Sequence, residues 1–134
     1  MLDKKQITDV FFDLDHTLWD FEKNSALTFE RIFDKLNINL NLDDFLKFYN
    51  GINHQYWKMY REDKISQEEL RSLRLIKTFQ AIDFDFDPIK IDLISDLYIL
   101  NLSSFSNLFE GAISLLKELQ VRYQLHVITN GFEV

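Results

Sequence analysis

The stretch Val10-Phe11-Phe12-Asp13-Leu14-Asp15-His16-Thr17-Leu18 decides how the chain is read. An apolar run ends in two carboxylates one residue apart, and a hydroxyl follows two positions later. Such a run reads as a strand buried on both faces, as in a parallel sheet covered by helices. Side chains i and i+2 of a strand share a side, so Asp13 and Asp15 are expected to point into one space. At about 4 Å and an effective dielectric of about 20, two such charges repel by roughly 4 kcal/mol. A divalent cation, a shared proton or an arginine would offset that repulsion. The plainer alternative is a strand that enters an acidic turn.

Outward from this stretch, Ile7 to Asp13 is read as the first strand, and Leu18 to about Asn24 as a connection. The periodicity then turns helical. Phe29, Ile32, Phe33 and Leu36 make one apolar helix face. Asn41 is expected to cap a second helix, which carries Asp43 and Asp44 in its first turn and Gly51 at a bend. Ser66 and Glu69 form a capping box for a third helix to about Ala81. Asp83 to Asp87 is an acidic loop, and Pro88 opens a fourth helix through about Leu100. Glu110 to Val121 reads as a short amphipathic helix, and Gln124 to Thr129 as a second apolar strand ending in Thr129-Asn130-Gly131.

A strand, a helical block, a helix and a second strand make an α/β crossover with an insertion in its first loop. Ligands of open α/β sheets bind beyond the carboxyl ends of strands. Asp13, Asp15, Thr129 and Asn130 are all expected there, although more than a hundred residues separate the two groups. That convergence favours a site over an acidic turn.

With 134 residues the chain is large enough for one domain that buries roughly two-thirds of its unfolded surface. Hydrophobic residues at 46% and charged residues at 28% predict a soluble globular protein. The net charge of -7 argues against a nucleic-acid polymer or an anionic membrane as partner. An anionic small-molecule substrate would have to be drawn by a metal or by local backbone N–H groups. Without cysteine, thiolate chemistry, disulfides and Cys-based zinc sites are excluded. No apolar core of a signal peptide follows Met1, and no apolar stretch approaches membrane-spanning length, so the cytoplasm is the expected compartment.

The string Phe12-Asp13-Leu14-Asp15-His16-Thr17-Leu18 resembles the first signature, D-x-D-x-T, of the haloacid dehalogenase-like (HAD) hydrolases. Val127-Ile128-Thr129-Asn130-Gly131 resembles their second, and the helical block between them resembles a type I cap. Within the superfamily the likeness is greatest to bacterial pyrimidine 5'-nucleotidases. The resemblance implies a Rossmann-like core over 1–20 and 106–134, incomplete here, with an all-helical cap over 21–105. It implies Asp13 as nucleophile and Asp15 as acid and base, with Mg2+ held by Asp13 and the Asp15 carbonyl. It also implies phosphate binding by Thr129 with the amides of Leu14, Asp15 and Asn130, and a supporting role for Thr17. The substrate it implies is a small phosphomonoester. The family's dehalogenases and phosphonate-cleaving members lack a carboxylate at the second acidic position, so in this resemblance Asp15 points to a phosphatase or phosphomutase rather than a 2-haloacid dehalogenase.

The family's third signature, a Lys or Arg, and its fourth, an acidic pair, are expected beyond Val134. Lys117 and Arg122 precede the second strand and cannot replace them by position. The polypeptide as given is therefore expected to turn over little. The rival reading is an association module that pairs through an open sheet edge.

Lesser candidates have bland readings. His16 is a spacer in the turn, and His54 and His126 are structural. Phe48, Tyr49, Tyr56, Trp57 and Tyr60 are core positions rather than a nucleobase platform. Trp19 and Phe21 are candidates for the substrate entrance. Arg71, Arg74 and Lys77 read as a solvated basic stripe, with a substrate-selecting Arg74 as the alternative.

Overall fold

A computed structural model describes residues 6–131. Its strands, β1 (Asp9–Asp13) and β2 (Gln124–Ile128), pair in parallel with Asp9 opposite Gln124 and Asp13 opposite Ile128. Both strands thus end at one level. Thr129 leaves β2 beside the point where Leu14 leaves β1, and the Leu14 amide donates to the Ile128 carbonyl at 3.3 Å.

Between the strands lie α1 (Phe21–Lys35), α2 (Leu42–Arg61), α3 (Gln67–Ala81), α4 (Pro88–Leu102) and α5 (Ala112–Leu119). Three of these begin where the capping chemistry predicts. The Asn41 side chain accepts from the Asp44 amide, and Ser66 and Glu69 exchange both bonds of a capping box. Asp87 accepts from the Ile89 amide, ahead of Pro88 in the first turn. Helix α1 starts earlier than its apolar periodicity suggests, because Asp20 Oδ1 accepts from the Lys23 amide at 3.2 Å. No break occurs at Gly51, and α2 runs through it.

The chain divides into two compact units, 1–24 with 106–134, and 25–105. Residues 21–24 thus fall with the strands. The second unit is all helical, and its core is aromatic. Phe29 stacks on Tyr98 with ring centroids 4.6 Å apart, and Phe45 stacks on Tyr49 at 5.2 Å. Ile32, Leu75, Phe79, Ile91 and Ile94 close around them. Phe29 and Phe45 are fully buried and Tyr49 nearly so, which accounts for part of the aromatic run as core. Phe48 is exposed, and Trp57 packs edge-on against Tyr60 at 5.8 Å.

Two expectations are corrected here. Arg74 is no solvated side chain: it is 2% exposed, donates from Nη1 to Asn53 Oδ1 at 3.1 Å, and lies over the Tyr98 ring at 5.1 Å. Its aliphatic stem and flat guanidinium suit an aromatic core better than a lysine would. Strand β1 is not buried on both faces. Its residues alternate between exposed and half-buried, and Phe11, Val127 and Ile128 are 60%, 56% and 57% exposed. A two-stranded sheet leaves strand surfaces bare among the described residues.

His126 is likewise half-exposed. Its Nε2 lies 2.7 Å from Asp9 Oδ1, and its ring stacks on Phe11 at 4.5 Å. Asp9 also accepts from the Thr8 hydroxyl at 2.6 Å. The Thr8 hydrogen bond, then the His126 hydrogen bond, hold the Asp9 carboxyl below its usual range. Among the described residues no helix is long and apolar enough to cross a membrane.

Candidate active site

The acidic stretch leaves β1 and curls at once. His16 has a positive φ of 64°, a left-handed conformation that His adopts more readily than most side chains. The turn directs the amides of Thr17, Leu18 and Trp19 onto one acceptor, the Leu14 carbonyl, at 3.3, 3.0 and 2.9 Å. The His16 amide closes the ring on the Trp19 carbonyl at 3.0 Å. Trp19 then bridges to Leu108, and Phe109 donates to the Leu18 carbonyl at 3.0 Å. Leu18, 5% exposed, anchors the loop from below. His16 is thus the pivot of the turn, and its ring rests 5.4 Å from that of Phe21.

The loop is tied at its exit as well. Asn24 is fully buried and holds Asn107 three ways. Its Nδ2 donates to the Asn107 carbonyl at 3.1 Å, and its Oδ1 accepts from the Asn107 amide and Nδ2 at 2.9 and 2.8 Å. The Asp20 amide adds a bond to the same carbonyl at 3.0 Å. This clamp fixes the segment after the acidic pair against the segment before α5. Sequence reading missed Asn24, because nothing local marks a partner 83 residues away.

The two carboxylates occupy unlike surroundings. Asp13 is exposed and accepts from the Thr17 hydroxyl through Oδ2 at 3.1 Å. Asp15 is half-buried, and its carboxyl is raised above the ordinary aspartate value. Burial is the main cause and the Asp13 charge adds to it, while the His16 charge and a hydrogen bond from Thr129 pull the other way. The structure therefore brings Asp13, Asp15, Thr17 and Thr129 together. Asn130 follows Thr129 but makes no hydrogen bond to the group among the described residues. Of the three amides expected to face an anion, that of Leu14 is already engaged by Ile128. Among the described residues no third acidic or histidine side chain joins the pair as a metal cluster.

The model of the haloacid dehalogenase-like hydrolases matches residues 10–133. YfnB of Bacillus subtilis (strain 168), named a HAD-hydrolase, is 28% identical over 127 residues, 95% of this chain and 52% of its own length. The pyrimidine 5'-nucleotidase YjjG of Escherichia coli (strain K12) is 26% identical over 123 residues, 92% of this chain and 51% of its own. A crystal structure of YfnB bound to magnesium matches with a TM-score of 0.80 at 28% identity, over 94% of this chain and 54% of that one. The L-2-haloacid dehalogenase of Xanthobacter autotrophicus shares the fold alone, with a TM-score of 0.63 at 18% identity over 95% and 48% of the two chains. The chain spans about half the length of the curated relatives it matches. Its architecture is a partial Rossmann-like parallel core with an inserted all-helical cap. Because the family match runs from within β1 past the end of β2, through both segments that build the site, the chain belongs to the haloacid dehalogenase-like hydrolase family.

Proposed function

We propose that this chain carries the nucleophile half of a phosphatase that hydrolyses small phosphomonoesters through an aspartyl-phosphate. The observation that carries the reading is the contrast between the two acids: an exposed Asp13 beside a half-buried Asp15 whose carboxyl is raised, chiefly by burial. A pair of carboxyl groups with unlike surroundings is suited to unlike roles. Asp13 attacks phosphorus through Oδ1, since Oδ2 is engaged by Thr17. As the bond from phosphorus to the ester oxygen breaks, Asp15 gives that oxygen its proton, which its raised pKa helps it retain. In the second step Asp15, now a carboxylate, takes a proton from the water that attacks the aspartyl-phosphate. Inorganic phosphate leaves, and both acids return to their starting states.

Thr129 and the amides of Asp15 and Asn130 would hold the phosphate oxygens. The Leu14 amide joins them only by sharing its proton with Ile128. Thr17 keeps the Asp13 carboxylate turned for attack. Asp13 and the Asp15 main-chain carbonyl offer oxygen donors only, the chemistry Mg2+ prefers. Among the described residues no third acidic or histidine side chain joins them, and Mg2+ is an ion that takes few protein ligands and keeps its waters. When bound, Mg2+ offsets the negative charge of the phosphate that an anionic nucleophile must approach.

The substrate class we favour is the nucleoside 5'-monophosphates. Its support is the likeness to two proteins named pyrimidine 5'-nucleotidases, YjjG and PynA of Streptococcus pneumoniae. The test is phosphate release from uridine 5'-monophosphate by the complete protein, with and without Mg2+. Asp13→Asn is expected to lower kcat on the order of 10³-fold or more. Unchanged release by that variant, or none by the unaltered protein on any nucleotide, overturns the reading.

A further inference from the structure

The aromatic core of the helical unit encloses a cation, Arg74 of α3. It is 2% exposed, and a guanidinium cannot shed its proton to suit a buried setting as a lysine can. Among the described residues no carboxylate lies within ion-pair distance of it. Its Nη1 donates to the neutral Asn53 Oδ1 at 3.1 Å, and its flat face lies 5.1 Å from the centre of the Tyr98 ring. Neither contact supplies a full negative charge, and a buried charge without one is costly.

A second observation concerns hydrogen bonds. Arg74 Nε and Tyr49 Oη are both buried without a hydrogen-bond partner among the described residues. Tyr49, 1% exposed, lies on α2 one turn before Asn53, so the two share the helix face that Arg74 meets. Tyr49 and Arg74 also share Tyr98, whose ring centre is 6.5 Å from that of Tyr49. The Tyr98 hydroxyl is bonded to Ser25 Oγ at 3.0 Å and stays outside bonding geometry with Tyr49. Burial raises the Tyr49 phenol well above its ordinary value, the Arg74 charge pulls the other way and Tyr98 adds to the rise, so the phenol keeps its proton. Two unpartnered donors, one of them on a permanent cation, are the complement of an anion. A water would accept both bonds and leave the charge uncompensated. Both donor atoms are closed to solvent, so a monatomic ion fits where a phosphate does not.

We propose that the helical unit binds a buried halide, such as chloride, between Arg74 Nε and Tyr49 Oη. Both groups donate to the ion, Asn53 keeps the guanidinium turned toward α2, and the Tyr98 ring backs its plane. The site uses neither Asp13 nor Asp15, so it stands or falls apart from the phosphatase reading.

The test is thermal denaturation of the complete protein at fixed ionic strength, with sodium gluconate replaced stepwise by sodium chloride or bromide. The melting temperature is expected to rise with the logarithm of halide concentration, by about 3 °C for each tenfold increase above the Kd. Arg74→Met is expected to lose the halide dependence, and Tyr49→Phe to need about tenfold more halide for the same rise. Arg31→Met, which removes an exposed cation lying over the Phe105 ring at 4.3 Å, is expected to keep it. The proposal is overturned by equal melting temperatures in gluconate and halide, or by a rise linear in halide concentration. It is equally overturned by a halide dependence that survives in Arg74→Met or is lost in Arg31→Met. The comparison of salts uses unaltered protein and does not depend on how the variants fold.

Discussion

Asp13 and Asp15 are two residues apart, yet one meets solvent and the other is half-buried. The difference has a consequence for stability. A carboxyl whose pKa is raised by folding costs nothing while it is protonated in both states, and its cost appears as pH rises through the folded value. Asp15→Asn is therefore expected to raise the denaturation midpoint at pH 7. The gain should vanish below the ordinary aspartate value of about 3.9. Urea denaturation at the two pH values checks this, and an equal gain at both would contradict it. His16 makes a different demand. Its φ of 64° admits glycine at little cost, whereas a β-branched side chain there is strained by about 1–2 kcal/mol. His16→Gly should keep the fold and His16→Val should lower its melting temperature, as calorimetry would show. The acidic pair was legible in the sequence from its chemistry and its place at the end of an apolar run, although β1 ends at Asp13 and Asp15 lies in the turn beyond it, outside the strand alternation. The pivot at His16 and the buried state of Arg74 were not, since both depend on which backbone turn and which rings lie nearby.

At the scale of elements, helix starts were readable from a cap within three residues of its target at Asn41 and Ser66, and from Pro88 in the first turn of α4, where the structure adds Asp87 as the cap. Asp20 obeys the same rule but sits next to the acidic motif, where it reads as part of a connection. The Asn24–Asn107 clamp has no local signature at all. Asn24→Ala would leave the half-buried Asn107 amide and Nδ2 without their acceptor, while the Asp20 amide still serves the Asn107 carbonyl, at a cost of about 1–3 kcal/mol. Activity should fall with it, because the clamp fixes the loop that carries Asp15. Within the helical unit, Arg74 has no carboxylate within ion-pair distance among the described residues. Arg74→Met keeps the stem packed on Tyr98 and removes a buried charge, so its stability should stay within about 1 kcal/mol of the parent. Arg74→Ala should lose about 2–4 kcal/mol through the vacated volume. Paired denaturation curves separate these outcomes.

At the scale of the molecule, the strand-bearing unit leaves Phe11, Val127 and Ile128 more than half exposed, and Val121 is 81% exposed. Exposed apolar area of this kind marks a surface that other polypeptide covers. Residues 1–134 alone are expected to self-associate, more so as salt screens the charge of -7. Light scattering that finds only single chains at high salt would contradict this. The family's architecture was legible from two short strings because each lies at a strand end, where chemistry constrains sequence most. The bareness of that face was not, since strand exposure depends on neighbouring elements that neither string marks. The central claim concerns one bond, between Asp13 and phosphorus. Its most direct measurement is peptide mass analysis of the complete protein, acid-quenched during turnover of uridine 5'-monophosphate with Mg2+. The account predicts a phosphoryl group on the peptide that contains Asp13, absent in Asp13→Asn. A protein that releases phosphate while that peptide stays unmodified, or carries the group elsewhere, would contradict it.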